Sequence, residues 1–190
     1  MRYAIYRIHY GLDFLGKSIE SVIDQVDKVF VFWSKQPWYK KCKNLPPLNE
    51  NVLEFCKKYD KVVVIEKEFD LPENQFKKMY DIVVSEYSKP DQVLMMEPDM
   101  VWDKEELKQI WKLENNEISF NQIEFWKNEE WYIKRDRPGP TLYNGTVNST
   151  LKGCWSDKRK THDTIKCFNY GFCLSPEVMK YKHEVAIQSS

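Results

Sequence analysis

Val93-Leu94-Met95-Met96-Glu97-Pro98-Asp99-Met100-Val101-Trp102 is the stretch on which the reading of this chain turns. Residues 92–96 form a short, nearly continuous apolar run, the pattern of a strand covered on both faces. Two carboxylates, Glu97 and Asp99, follow at once. In extended backbone, period-2 geometry sets them on the same side, and Pro98 biases Glu97 toward β or polyproline conformations. Ligands of open α/β sheets sit outside the carboxyl ends of the strands. Two hard oxygen ligands at such a point suit Mg²⁺ or Mn²⁺ bridging a diphosphate, and such an ion neutralises charge on a departing phosphate group. The plainer reading is a strand that leaves the core through a Pro-Asp turn, with Glu97 in solvent.

The residues around this strand set its context. Residues 3–10 are rich in β-branched and aromatic side chains and end at Gly11. Phe14, Leu15, Ile19, Val22, Ile23 and Val26 then recur at helical spacing. Residues 28–33 form a second apolar run, which completes a βαβ unit with an expected right-handed crossover. Residues 34–49 contain Pro37, Pro46 and Pro47 and read as a loop. A helix is expected over 50–59, a buried strand over 61–66, and a helix opening at residues 71–74. In that helix Phe76, Met79, Tyr80, Val83 and Val84 face inward.

Strands and helices alternating in this way predict a mostly parallel central sheet flanked by helices. Beyond Asp103, an expected N-cap, comes a helix over 104–113. The rhythm then changes. Residues 117–127 and 130–134 read as an additional strand pair in the C-terminal half. Residues 135–163, with Arg137-Pro138-Gly139-Pro140, read as irregular, and 164–174 as a last strand. Ser175-Pro176-Glu177 has the chemistry of a helix start. The chain reads as one domain, with residues 1–103 as a nucleotide-binding half and 104–190 as an acceptor half, minimal or truncated at its end.

Composition bounds the possibilities. A chain of 190 residues with 42% hydrophobic and 31% charged side chains is globular. Its 29 basic and 29 acidic side chains cancel, which argues against a broad nucleic-acid or anionic-membrane surface while leaving room for a local basic patch. Five cysteines without a CxxC pair argue against a disulfide framework. His162, Cys167 and Cys173 match no common zinc spacing. With no apolar span or leader visible, a cytoplasmic protein is expected. Seven tryptophans are first of all packing residues, and secondarily stacking platforms. For Trp126, Trp131 and Tyr132, packing is the expected role of at least two.

This order of elements, with an acidic pair after an apolar strand midway through the domain, resembles the GT-A glycosyltransferases, in particular their family-2-like group of nucleotide-diphospho-sugar transferases. The matching pieces are Arg7-Ile8-His9-Tyr10-Gly11, residues 29–33 followed by Ser34 and Lys35, Asn74-Gln75 at a helix start, and Glu97-Pro98-Asp99. They span about residues 1–125. Arg137-Pro138-Gly139-Pro140-Thr141-Leu142-Tyr143 also resembles a segment of phage or bacterial members.

The resemblance implies a nucleoside-diphosphate sugar as donor and Mn²⁺ or Mg²⁺ as cofactor. It implies nucleotide contacts from Arg7, His9, Tyr10, Ser34, Asn74, Gln75, Lys78 and Glu97. Metal ligation falls to Asp99 and Glu97, with His183 near the C-terminus as a further ligand. Asp163 is the first choice for a catalytic base and Glu177 the second. The acceptor stays open among glycan, lipid, protein and modified base.

The sequence departs from the group at Phe32-Trp33-Ser34, where acidic residues are usual. A nucleotidyltransferase of related fold stays open, although Tyr10-Gly11-Leu12-Asp13 is a poor phosphate loop. So does a binding or structural protein that keeps the fold without turnover.

Overall fold

The computed structural model describes residues 1–37, 42, 45, 46, 48, 50–69, 75–145 and 161–189. Side chains at 129, 134–138, 161, 163, 188 and 189 are not included in that description. Strands β1 (Arg2–Ile8), β2 (Lys28–Trp33), β3 (Val62–Glu66) and β4 (Gln92–Met96) are parallel and lie in the order β3-β2-β1-β4. Helices α1 (Leu12–Val22), α2 (Val52–Cys56) and α3 (Gln75–Glu86) fall between them.

The chain moves outward from β1 to β3 and then returns to the other side of β1. Right-handed crossovers in opposite directions send their helices to opposite faces of the sheet. The core shows this division. Ala4, Tyr6, Ile8, Val29, Val31, Leu94 and Met96 pack with Leu15, Ile19 and Val22 of α1. The alternate residues Tyr3, Ile5, Phe30, Phe32, Val93 and Met95 pack with Phe76, Met79, Tyr80 and Val83 of α3. Both faces are apolar, which is why these strands read as continuous hydrophobic runs. Each fully buried side chain of this size contributes about 1.5–3 kcal/mol.

Four more strands extend the sheet: β5 (Met100–Val101), β6 (Glu117–Trp126), β7 (Asn128–Asn144) and β8 (Thr161–Phe172). Helix α4 (Lys104–Ile110) follows β5, and Asp103 caps it by accepting from Glu105 N and Glu106 N. The full order is β3-β2-β1-β4-β7-β6-β8-β5. β7 is antiparallel to both β4 and β6, β6 and β8 are parallel, and β5 is antiparallel to β8. The result is the mixed, mostly parallel sheet flanked by helices that the rhythm of elements predicted.

One expectation for the C-terminal half is overturned. Residues 135–144 are not irregular but continue β7, with Thr141, Leu142 and Tyr143 paired to Met95, Leu94 and Val93 of β4. Register shifts between Ser119 and Gln122 of the partner strand absorb the Pro-Gly-Pro segment. Gly139 is needed there for space, since a Cβ would stand 2.4 Å from Gln122 Cγ. The packing expectation for the hairpin aromatics also fails: Trp131 is 65% and Tyr132 63% exposed.

Helix α5 (Pro176–Ser189) closes the fold, with Val178, Tyr181 and Val185 buried. Among the described residues no helix is long and apolar enough to cross a membrane.

Candidate functional site

The return of the chain across β1 makes the β1/β4 boundary a topological switch point, where the carboxyl ends of neighbouring strands open a crevice. A cleft of about 270 Å³ lies there. The β1 end supplies Arg7, His9, Tyr10 and Gly11, and the β4 end supplies Glu97, Pro98 and Asp99. The opposite wall comes from Glu124 of β6, Asn169 and Gly171 of β8, and Lys182 of α5.

Glu97 and Asp99 reach this cleft by a route other than strand alternation. Residues 98–99 form a turn, closed by Met100 N donating to Glu97 O at 3.2 Å. Tyr170 N then donates to Asp99 O at 2.8 Å, which ties the turn to β8. Glu97 is ion-paired with Arg7. Arg7 also donates from Nη1 to Gln75 Oε1 at 3.3 Å and lies over the Phe76 ring at 4.9 Å. The first residues of α3 therefore hold the arginine that holds Glu97.

Asp99 has a different environment. Its Oδ1 is enclosed and accepts no hydrogen bond among the described residues. Burial pushes its carboxyl up to about 6; Lys182 draws it down, and Glu97 pushes it up further. Across from it, Lys182 Nζ donates to Gly171 O at 2.7 Å, and Asn169 Oδ1 accepts from Gly171 N at 2.8 Å. Asn169 also donates to Gln122 Oε1.

His9 ties the cleft floor to α5. The Ser34 carbonyl can only accept, so the 2.8 Å contact to Nδ1 places the proton on that nitrogen. Nε2 then accepts from the Tyr181 hydroxyl at 3.0 Å. Burial lowers the His9 pKa and favours this neutral form. Stacked rings of Phe14, Tyr170 and Phe125, with centroids 4.6 and 4.8 Å apart, join α1 to β8 and β6.

Of the residues singled out in the sequence, Arg7, His9, Tyr10, Glu97 and Asp99 line the cleft. Gln75 lies behind it, bonded to Arg7. Ser34 is buried, with its carbonyl on His9 and its hydroxyl on Gln36 O. Lys78 is exposed on α3 and His183 is exposed on α5, and neither lines the cleft. Asn74 lies outside the described residues, and so does the side chain of Asp163. Glu177 lines a separate groove with Asp13 and Glu50. Among the described residues, no three His, Cys, Asp or Glu side chains cluster as a ready-made metal site.

Sequence reading missed Lys182, Glu124, Asn169 and Gly171. Two of them carried a signal. Lys182 stands at core-facing helical spacing from Val178 and Val185, and Glu124 continues the inward row of Ile118, Phe120 and Gln122.

A parallel βαβ core, a switch-point cleft ending in two carboxylates and an antiparallel extension make up a GT-A-like mixed α/β fold. Solved structures agree on the fold. A 4-diphosphocytidyl-2C-methyl-D-erythritol synthase from Anaerococcus prevotii DSM 20548 matches 100% of this chain and 94% of its own, with a TM-score of 0.51 and 9% identity. The inositol-1-phosphate CTP transferase from T. maritima matches 97% and 96%, with a TM-score of 0.51 and 10% identity. S. aureus TarS 1–349 matches 99% of this chain and 65% of its own, with a TM-score of 0.51 and 13% identity. No protein-family model matches the chain, and no curated protein does.

Proposed function

We propose that this protein is a metal-dependent glycosyltransferase that takes a nucleoside-diphosphate sugar in the β1/β4 cleft and passes the sugar to an acceptor hydroxyl. The observation that carries this reading is the charge of the cleft. Among the described residues its lining holds two basic side chains, Arg7 and Lys182, and three acidic ones, Glu97, Asp99 and Glu124. A cation in the cleft would offset the repulsion between a diphosphate and these carboxylates.

The donor set fits such a cation. Asp99 Oδ1 is an enclosed carboxylate oxygen without a hydrogen bond among the described residues, and Glu97 stands beside it in the same cleft. Hard oxygen donors of this kind suit Mn²⁺ or Mg²⁺. Asp99, with Glu97, would hold the ion, which when bound neutralises charge on the leaving diphosphate.

The chain's own side chains do the rest. Arg7, fixed by Gln75 and Phe76, orients Glu97 and brings a positive charge to the cleft floor. Lys182 supplies a second positive charge on the facing wall. Tyr10 adds an aromatic ring to the lining, packed against His9 and Tyr181. For an inverting transfer, Glu124 takes the proton of the acceptor hydroxyl while the acceptor oxygen bonds to the anomeric carbon. The bond from that carbon to the diphosphate oxygen breaks, and its electron pair leaves with the nucleoside diphosphate. Glu124 is chosen because it lines the cleft from β6, facing the β1 and β4 ends, whereas Asp163 was the expectation from sequence.

The test is release of nucleoside diphosphate from a panel of nucleotide sugars, with Mn²⁺ and with chelator. Metal-dependent release from one donor, lost in Glu124→Gln with binding intact, supports transfer. Cleavage of nucleoside triphosphates with release of pyrophosphate instead supports nucleotidyl transfer.

A further inference from the structure

The turn that joins β6 to β7 gathers exposed aromatic surface. Six large hydrophobic side chains are exposed among the described residues, and the three aromatic ones, Trp126, Trp131 and Tyr132, all stand at this turn. Single exposed residues of this kind need no explanation, whereas a group of them marks a binding surface. The turn is also held in a costly shape. Lys127 has φ 66°, a left-handed backbone that a residue with a Cβ keeps only where its surroundings impose it. Lys127 N donates to Phe172 O at 3.2 Å, which ties the turn to the end of β8. Asn128 Oδ1 accepts from Glu130 N at 3.0 Å and from Trp131 N at 3.2 Å.

The tie to β8 leads back to the cleft. Phe172, like Glu124, lines it. The Phe172 ring centroid lies 5.0 Å from that of Trp126, with the planes at 41°. An aromatic strip therefore runs from the cleft wall out to the Trp126 ring, which is 39% exposed. Tyr132 belongs to the other face. It pairs with Phe125 across the strands and meets that ring edge-on at 6.5 Å. Successive strand residues point to opposite faces, so Phe125 and Tyr132 face away from Glu124.

The chemistry of the strip selects its occupant. A sugar ring has a flat C–H face that rests on the negative face of an aromatic ring, and a rim of hydroxyls that needs polar partners. Trp126 and Phe172 supply the first, and Glu124 and Asn169 in the cleft wall supply the second. A nucleic acid would need positive charge along the strip. The turn instead reads Lys127-Asn128-Glu129-Glu130, one lysine against two glutamates. A lipid chain would need an apolar path, and the cleft end of the strip meets Glu97, Asp99 and Glu124.

We propose that Trp126 and Phe172 form a stacking subsite for a saccharide acceptor, holding one sugar ring outside the cleft while a hydroxyl of the next ring reaches Glu124. The proposal rests on the transferase reading above and names its acceptor class.

The experiment screens the full chain on an array of bacterial and plant oligosaccharides and measures each hit by calorimetry. Trp126→Ala, Trp126→Phe and Tyr132→Ala are compared with wild type, each checked by thermal melting. Binding of UDP, GDP, CDP and ADP with Mn²⁺ is measured on the same samples. Oligothymidylate and anionic phospholipid vesicles are tested alongside. The wild type binds at least one oligosaccharide. Trp126→Ala weakens that binding by about tenfold, Trp126→Phe by less, and Tyr132→Ala by no more than about twofold. Nucleotide binding is the same in all. Should Trp126→Ala fail to fold, Trp126→Leu, which keeps apolar bulk without a ring, takes its place.

A wild type that binds a nucleotide but no oligosaccharide overturns the subsite and leaves the nucleotide cleft standing. Saccharide binding that survives loss of the Trp126 ring also overturns it. So does binding of oligothymidylate or vesicles through Trp126 where no saccharide binds. Saccharide binding through Trp126 without any nucleotide binding keeps the subsite and removes the transferase reading.

Discussion

Gly171 lies so close to Asp99 that a Cβ on the glycine would stand 2.6 Å from Asp99 Oδ2, and 3.0 Å from both Asn169 Oδ1 and Lys182 Nζ. The backbone there needs no positive φ, so the constraint is space. Gly171→Ala forces the Asp99 carboxylate or its neighbours to move. Overpacking of this kind costs about 1–3 kcal/mol. We expect a folded protein with a modestly lower melting temperature that has lost Mn²⁺-dependent stabilisation by nucleotide, measured by thermal melting.

Asp99 itself makes stability depend on pH. Its folded pKa, about 6, lies above its ordinary value of 3.8 because of burial. The neutral carboxyl is therefore favoured by the fold. Its contribution is complete below 3.8 and is lost as pH rises through about 6. Asp99→Asn, neutral throughout, should be more stable than wild type above that pH, by the order of 1–3 kcal/mol. The difference should close toward pH 4, as followed by urea denaturation across that range.

The His9 link titrates in the other sense. Burial holds its pKa below 6.5, so its contribution is complete above 6.5 and is lost as pH falls through the folded value. Protonated His9 cannot accept from the Tyr181 hydroxyl, and the hold of β1 on α5 weakens. Tyr181→Phe removes the same bond at neutral pH and should cost about 0.5–1.5 kcal/mol. Its denaturation curve at neutral pH, set beside that of wild type at mildly acidic pH, checks both statements.

The Arg7–Glu97 pair predicts non-additivity. Arg7→Met leaves Glu97 half-buried without its guanidinium partner, a loss of about 3–5 kcal/mol. Adding Glu97→Gln removes the stranded charge and should restore a large part of that loss. A double-mutant cycle by chemical denaturation measures the coupling.

The local signals in the chain were enough for its first half. β1 to β4, α1 and α3 follow from apolar runs and helical spacing, because their two-sided burial writes itself into consecutive residues. Glu97 and Asp99 were legible for the same reason, since a charged pair stands out at the end of such a run.

The far wall of the cleft was legible only in part, through the spacing of Lys182 and Glu124. Asn169, Gly171 and Lys182 reach Asp99 only through the pairing of β8 with β5 and the packing of α5, contacts that span more than 60 residues. Pro138-Gly139-Pro140 hid the continuation of β7, since a bulge can carry what local propensity forbids. Glu50 opens the helix expected over 50–59, and its bonds to the Gly11 and Leu12 amides appear only in the folded chain.

The most direct test of the account is a thermal melt of the wild-type chain with Mn²⁺ and each nucleoside diphosphate, repeated with Asp99→Ala. The account predicts that at least one diphosphate, at 100 times its Kd, adds about 2.7 kcal/mol of stability. It also predicts that chelator or Asp99→Ala abolishes the gain while leaving the protein folded. A melt that no nucleotide moves in the presence of metal, or a gain that survives Asp99→Ala, would contradict it.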